Sequence, residues 1–160
     1  MGKKIWKAVV PLLVIALMIV GGLFLYRQMT TFKAPTKQEA TAQEDKENAI
    51  NGQWQASDDF VCDIWRDRDG TFHASITLTE DADTVTFWEC SGRWSDDVNG
   101  FEYSDGVKQT NDYDADGGME SKAVYDRGKG SIYLKGDKVY WDDRQEQVAK
   151  KKAFSYVGEY

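Results

Sequence analysis

Residues 60–79 read FVCDIWRDRDGTFHASITLT, and their pattern is the strongest indication of the fold class. From residue 72 onward, apolar side chains alternate with small polar ones in the run FHASITLT. Such alternation, with a period of two, places the two sets on opposite faces of a β-strand. The preceding run, residues 60–66, is rich in β-branched and aromatic residues. With Asp69-Gly70 between them, the two runs predict an antiparallel hairpin.

The length of the loop determines which side chains of this hairpin face the core. A two-residue turn would point two aspartates of the first strand inward, and burying an unpaired aspartate costs several kcal/mol. A three-residue loop instead places Ile64 opposite Ala74 and gives Gly70 the left-handed conformation that a bulge needs. We therefore expect the three-residue loop, with Trp65 pointing outward beside His73.

The rest of the chain from residue 52 onward alternates short β-favouring runs with glycine, aspartate and asparagine pairs. This spacing is typical of an all-β fold, an antiparallel β-barrel or sandwich of about eight to ten short strands. Turns are expected at Asp105-Gly106 and at residues 128–130, among others. The predicted strands lie near residues 52–57, 60–67, 71–79, 84–94, 99–104, 107–112, 119–126, 130–135, 138–143 and 152–158.

Several short motifs follow one another along this region. They are GQW at 52–54, WECSG at 88–92, FEYSDG at 101–106, GKGS at 128–131 and VYWDD at 139–143. In this order they resemble the small all-β domains of bacterial membrane-anchored or lipid-anchored surface proteins, and GQW resembles the start of small lipocalin-like barrels. The resemblance implies an exported β module and carries over no catalytic residue. This chain lacks the lipid-attachment cysteine of the lipid-anchored members.

Residues 8–26, AVVPLLVIALMIVGGLFLY, contain no charged side chain. A helix of this length spans roughly 28 Å, close to the hydrocarbon thickness of a bilayer. Trp6 and Tyr26 flank the run as interfacial aromatics do, and three lysines precede it. We therefore predict an uncleaved single-pass signal anchor in the cell membrane, with residues 1–7 cytoplasmic and the C-terminal domain extracytoplasmic. A cleaved signal peptide is the alternative, although no small-residue cleavage site closely follows Tyr26.

Residues 27–51 are polar and predict a linker between the bilayer and a β domain of residues 52–160. Within it, residues 36–48 could form a short helix, but one without an apolar face. Residues 1–37 carry six basic groups and no acid, which leaves 14 basic and 27 acidic groups in residues 38–160, a formal net charge of −13. Because such a charge repels phosphates, nucleic acid is not an expected partner.

Trp65 and His73 are the candidate binding residues. An outward indole could stack on a sugar ring or anchor a protein partner. His73 is the only histidine and lies on the polar face of its strand, away from both cysteines, so neither a Cys–His nor a Ser–His catalytic pair is expected. The acid pairs Asp96-Asp97 and Asp142-Asp143 are expected at strand ends rather than across a cleft, which argues against a glycosidase.

Asp112, Asp114 and Asp116, followed by Gly117, match the first half of a calcium-binding loop. Carboxylates at alternate positions can converge on a hard cation as the chain turns at the glycine. The twelfth position of such a loop needs a bidentate glutamate, and here it is Ala123. Ca²⁺ is the one cofactor that the sequence raises, and an acidic hairpin tip without metal is the alternative.

Cys62 and Cys90 would lie outside the membrane, where disulfides persist. Both are predicted on strands that flank a third strand. Next-nearest strands are roughly 9–10 Å apart, beyond the reach of a disulfide. A disulfide and two buried thiols therefore both stay open.

Taken together, these patterns predict a non-enzymatic, membrane-anchored extracytoplasmic module that binds a protein, a glycan or a small ligand. The first alternative is a structural or assembly subunit of a membrane complex. The second is a lipocalin-like barrel that holds a small apolar ligand inside, although many bulky rings could fill that interior.

Overall fold

The computed structural model describes residues 37–159, which form one helix and eight strands. The helix is α1 (Lys37–Asn48), and the strands are β1 (Gly52–Ser57), β2 (Phe60–Arg66), β3 (Thr71–Thr79), β4 (Thr84–Ser95), β5 (Gly100–Tyr113), β6 (Met119–Lys135), β7 (Lys138–Asp143) and β8 (Phe154–Gly158). All neighbouring strands are antiparallel, and pairing of β8 with β1 closes the sheet into a barrel. The predicted all-β antiparallel fold is confirmed, as a barrel rather than a sandwich.

The predicted anchor, residues 8–26, and the predicted cytoplasmic stub, residues 1–7, lie outside the described residues. Between residues 37 and 159, no helix has both the length and the apolar character needed to cross a bilayer. The barrel belongs to a compact unit that begins at Ala42, whereas α1 begins in a separate unit that ends at Thr41.

The first hairpin has the predicted three-residue loop. Ile64 pairs with Ala74 and Trp65 pairs with His73 across β2 and β3. Gly70 has a φ of 85°, the left-handed conformation that the loop requires. Ile64 and Ala74 are buried while Trp65 is exposed, so the inward and outward faces are those expected from the sequence.

Two of the predicted turns are wrong, which reduces ten expected strands to eight. Asp105-Gly106 lies inside β5, and the chain does not reverse there. Instead, the pairing registers of β5 with β4 and with β6 shift at this point. Residues 128–130 lie inside β6. A side chain at Gly130 would overlap the Tyr103 hydroxyl and the Asp142 carbonyl, so this glycine permits close approach of neighbouring strands rather than a turn.

Aromatic rings fill the interior of the barrel. Phe60 packs edge-on against Phe154 and Trp141, with centroid distances of 5.1 and 6.2 Å. Trp88 packs edge-on against Trp141 at 5.3 Å. The indole N–H of Trp141 donates to the Tyr103 hydroxyl at 2.8 Å, which satisfies a buried polar group. Each ring buried in this way contributes roughly 1.5–3 kcal/mol of transfer free energy.

The segment that leads into β1 packs against the barrel before residue 52. Ile50 is fully buried, and the Trp54 indole N–H donates to its carbonyl at 2.8 Å. Glu47, near the end of α1, lies 2.9 Å from the Arg66 guanidinium. The predicted helix is therefore present, and it contacts the barrel through polar side chains rather than through an apolar face.

Asp96 binds the last turns of α1 to the start of the β4–β5 turn. Its carboxylate accepts hydrogen bonds from Lys46 at 2.8 Å, from the Trp94 indole at 3.0 Å and from Gln43 at 3.3 Å. These bonds, with that from Lys46 the strongest, lower the pKa of Asp96 to about 2.

We expect Gly130→Ala to lower the free energy of unfolding by about 2–4 kcal/mol, because its methyl group would displace the Tyr103 hydroxyl from Trp141. Gly158→Ala is the matched control, since nothing lies within 4 Å of the added methyl group, and it should change stability by less than about 0.5 kcal/mol. Urea unfolding of both variants measures the difference. Equal midpoints would contradict this account of Gly130.

We expect Asp96→Asn to raise amide hydrogen exchange in residues 43–48 about two- to fivefold, because the amide accepts more weakly from Lys46 and the contact is exposed to solvent. The folded pKa of Asp96 lies below its unfolded value, so the contact is fully present above pH 4 or so and is lost as the pH falls toward 2. Exchange mass spectrometry measures the effect at neutral pH. Asp97→Asn is the control, and equal exchange in both variants would refute the role of Asp96.

Candidate functional site

Trp65 and His73 form one stacked pair on the outside of the barrel. Their ring centroids are 5.4 Å apart and their planes differ by 11°. Trp65 is 40% exposed, so a large part of its indole ring is open to solvent. The pair follows directly from the register of the first hairpin, which sets the two residues opposite each other on the outer face.

The loop of the hairpin holds this pair in place through Asp67. The Asp67 amide donates to the Thr71 carbonyl at 2.8 Å, and its own carbonyl accepts from Gly70 at 3.0 Å, so the loop is tied at both ends. The Asp67 carboxylate then lies 2.8 Å from His73 Nε2. His73 is therefore fixed by Asp67 on its ring nitrogen and by Trp65 on its ring face.

A groove of about 280 Å³ lies on the His73 side of Trp65. It follows from an interruption in the pairing of β4 with β5 between Glu89 and Arg93. There the Asp105 carboxylate replaces the backbone ladder, accepting from the Ser91 amide at 3.1 Å and from the Ser91 hydroxyl. We call this the wall groove; its lining includes Trp65, His73, Glu89, Ser91, Asp105 and Val107.

A second groove, of about 400 Å³, lies on the other side of Trp65. β2 lies between β3, which carries His73, and β1, where Gly52 pairs with Ile64. The residues that lead into β1 therefore flank Trp65 on the side away from His73. We call this the rim groove; its lining includes Asn48, Asn51, Gly52, Trp65, Arg66 and Glu159.

Two residues that line the rim groove each carry a buried polar atom with unmet hydrogen-bonding capacity. Within residues 37–159, neither Asn51 Oδ1 nor Arg66 Nε has a hydrogen-bond partner, and both are shielded from solvent. The Arg66 guanidinium is otherwise engaged, by Glu47 at 2.9 Å and by the Phe72 ring at 5.4 Å. An unsatisfied buried donor or acceptor costs roughly 1–3 kcal/mol, so a side-chain rotation that gave either atom a polar partner would be stabilising.

The three aspartates of the candidate calcium loop have separate tasks. Asp112 lies on β5 and accepts from the Thr84 hydroxyl at 3.1 Å. Asp114 accepts from the amides of Asp116 and Gly118, at 3.0 and 2.7 Å, and so shapes the β5–β6 turn. In the described part of the chain, no three acidic, histidine or cysteine side chains are grouped as a metal site requires. The structure does not bring Asp112, Asp114 and Asp116 together as ligands.

The two cysteines are free thiols inside the barrel. Ile76 pairs with Cys62 on one side and with Trp88 on the other, while Ala74 pairs with Cys90, so β3 separates the two thiols as the sequence suggested. Burial raises the pKa of both cysteines well above the ordinary value of a thiol. Neither is available as a thiolate.

Asp143 lies at the end of β7, where the sequence places it, but its side chain is buried. Its carboxylate accepts from the amides of Gln145 and Glu146, at 2.9 and 3.1 Å, and so caps the turn after β7.

Of the residues around Trp65, the sequence did not indicate Asn51, Arg66 and Ser91. The strand pattern carried no signal for them, because each becomes part of a groove only once distant strands are neighbours.

Comparison of the chain with protein-family models, curated proteins and solved structures finds no match. The resemblance to exported bacterial β domains therefore rests on the motifs quoted above and stays a prediction.

Proposed function

We propose that this chain is a membrane-anchored binding module, displayed outside the cytoplasm, that binds its ligand on the outer surface of the barrel and catalyses no reaction. The observation that carries the proposal is Trp65, exposed over 40% of its surface and held on His73 with a groove on each side. A fixed indole loses little conformational entropy when a ligand packs on it. The polar side chains of the two grooves supply specificity.

The anchor in this proposal is the uncharged run of residues 8–26. Its length matches a bilayer, and the lysines before it favour a cytoplasmic N-terminus. The partner of this segment is thus the lipid bilayer, and the acidic domain faces the outside. The motif order shared with exported bacterial surface domains supports the same orientation.

The environments of His73, Cys62 and Cys90 favour a binding function over a catalytic one. Ser91 pairs with His73 across β3 and β4, but its hydroxyl donates to Asp105 and not to His73, whose Nε2 is bonded to Asp67. Cys62 and Cys90 are buried as neutral thiols, whereas a nucleophilic cysteine is a thiolate.

An assembly subunit is the second candidate, and β6 is the observation that favours it. Among residues 37–159, β7 covers the outer edge of β6 only from Gly130 onward. Met119 and Val124, in the uncovered part, are 56% and 46% exposed. Register shifts in this part of β6 and its charged side chains discourage pairing with another strand, which makes this candidate weaker. A ligand inside the barrel is weaker still, because aromatic rings occupy the interior.

The membrane half of the proposal predicts that the barrel is reachable from outside the cell. We expect protease added to intact protoplasts to remove a C-terminal epitope from the full chain and to spare it in a variant that lacks residues 8–26. Immunoblotting reads the result, with a cytoplasmic protein as the control for lysis. An epitope of the full chain that disappears only after lysis would contradict the orientation.

The binding half predicts that Trp65→Ala weakens binding about tenfold or more, as loss of a central aromatic contact does. The full chain in nanodiscs is screened against an envelope extract and a glycan array, and the affinity of each ligand found is then measured for both forms. Tyr113→Ala is the matched control, because Tyr113 is 39% exposed, much like Trp65, but lies at the end of β5. Equal affinities for the native chain and Trp65→Ala would remove Trp65 from the binding surface.

A further inference from the structure

The rim groove combines an aromatic ring with planar polar side chains. Trp65 contributes the ring, Asn48 and Asn51 contribute carboxamides, Arg66 a guanidinium and Glu159 a carboxylate. Carboxamide and guanidinium groups present several donors and acceptors in fixed geometry, which suits ligands that carry neighbouring hydroxyl groups. The volume of about 400 Å³ is within the usual range of small-molecule sites.

Only one face of the Trp65 ring is available to a ligand. His73, on β3, covers the other face in a nearly parallel stack. The rim groove lies toward β1 and β8, on the opposite side of the indole. The free face is therefore directed at the groove, where it can pack against the flat, C–H-bearing face of a pyranose ring.

The unmet hydrogen bonds of the groove require both a donor and an acceptor. Asn51 Oδ1 lacks a donor and Arg66 Nε lacks an acceptor within the described residues. Both atoms are shielded from solvent, so a ligand reaches them only when the two side chains rotate toward the groove. A hydroxyl group donates one hydrogen bond and accepts others, so adjacent hydroxyls on a sugar can then serve both atoms. A purely apolar ligand would leave both unsatisfied.

The charges around the groove select against an anionic ligand. The Arg66 guanidinium is already neutralised by Glu47 at 2.9 Å, and Glu159 adds a further negative charge. Residues 38–160 carry a formal net charge of −13, so the surrounding field also repels anions. Phosphorylated sugars and uronic acids are therefore disfavoured relative to neutral sugars.

From these four observations we infer that the rim groove binds a neutral saccharide unit, with Trp65 as the platform and Asn51 and Arg66 as hydrogen-bonding partners. This inference rests on the proposed function and narrows its ligand class. The experiment must distinguish this saccharide ligand from a peptide that binds the same surface.

The test uses the full chain in nanodiscs and four probes: maltotetraose, cellotetraose, chitotetraose and tetragalacturonate. Calorimetry and saturation-transfer NMR measure binding to the native chain and to four variants. We expect at least one neutral probe to bind and the anionic one to bind more weakly. Trp65→Ala should weaken the neutral probe about tenfold or more, whereas Trp65→Phe, which keeps a ring, should recover part of the loss.

Asn51→Ala should weaken the same probe about three- to tenfold, the effect of one hydrogen bond. Tyr113→Ala should leave the affinity unchanged, and thermal melts establish that each variant is folded. Tetragalacturonate binding as tightly as the neutral probes would overturn the inference, as would unchanged affinity in Asn51→Ala and Trp65→Ala.

Failure of all four sugars would also overturn the saccharide inference, and the screen described under the proposed function then separates two cases. A protein or peptide ligand that depends on Trp65 would preserve the proposed binding function with a different ligand class. A screen in which no ligand depends on Trp65 would reject the binding surface itself.

Discussion

Pairing of the first strand with the last closes the sheet, and both the core and the outer surface follow from this closure. β1 pairs with β2 on one edge and with β8 on the other, so the first and last strands complete one ladder. Two aromatic contacts reinforce the closure, Trp54 against Tyr156 at 5.2 Å and Phe60 against Phe154 at 5.1 Å. Closure removes the free edges that an open sheet would expose at β1 and β8, and it encloses the ring cluster that supplies the hydrophobic stabilisation.

Because side chains fill the interior, the proposed binding surface lies on the outside of the barrel. Small eight-stranded barrels have interiors just wide enough for side chains, and here large rings take that volume. On the outer wall, a groove lies where two neighbouring strands pair irregularly. Between β4 and β5, the Asp105 carboxylate substitutes for the ladder and leaves the wall groove beside Trp65. The irregular pairing that forms the groove is thus compatible with a rigid core beneath it.

The sequence predicted what depends on local pattern and misjudged what depends on neighbours. The first hairpin could be predicted residue by residue, because three local features favour the same register: the three-residue loop, the apolar alternation that begins at Phe72, and the cost of burying an aspartate. The turns at Asp105-Gly106 and Gly128–Gly130 were wrong because aspartate and glycine have a second use inside long strands. Asp105 replaces a backbone partner, and Gly130 lets Tyr103 approach. Neither use leaves a signal in the residues next to it.

The rim groove could not be predicted from the sequence for the same reason: its residues become neighbours only in the folded barrel. Asn51 precedes β1, Arg66 ends β2 and Glu159 follows β8, so more than 90 residues separate Arg66 from Glu159 along the chain. Periodicity could place Trp65 on the outer face, but only the pairing of β8 with β1 brings Glu159 to the strand beside it. The candidate site is therefore a product of closure: the ladder that completes the barrel also places the beginning and the end of the described domain on one side of a single indole ring. A change that opened the β1–β8 pairing would remove the rim groove while leaving the Trp65–His73 stack, which depends on β2 and β3 alone.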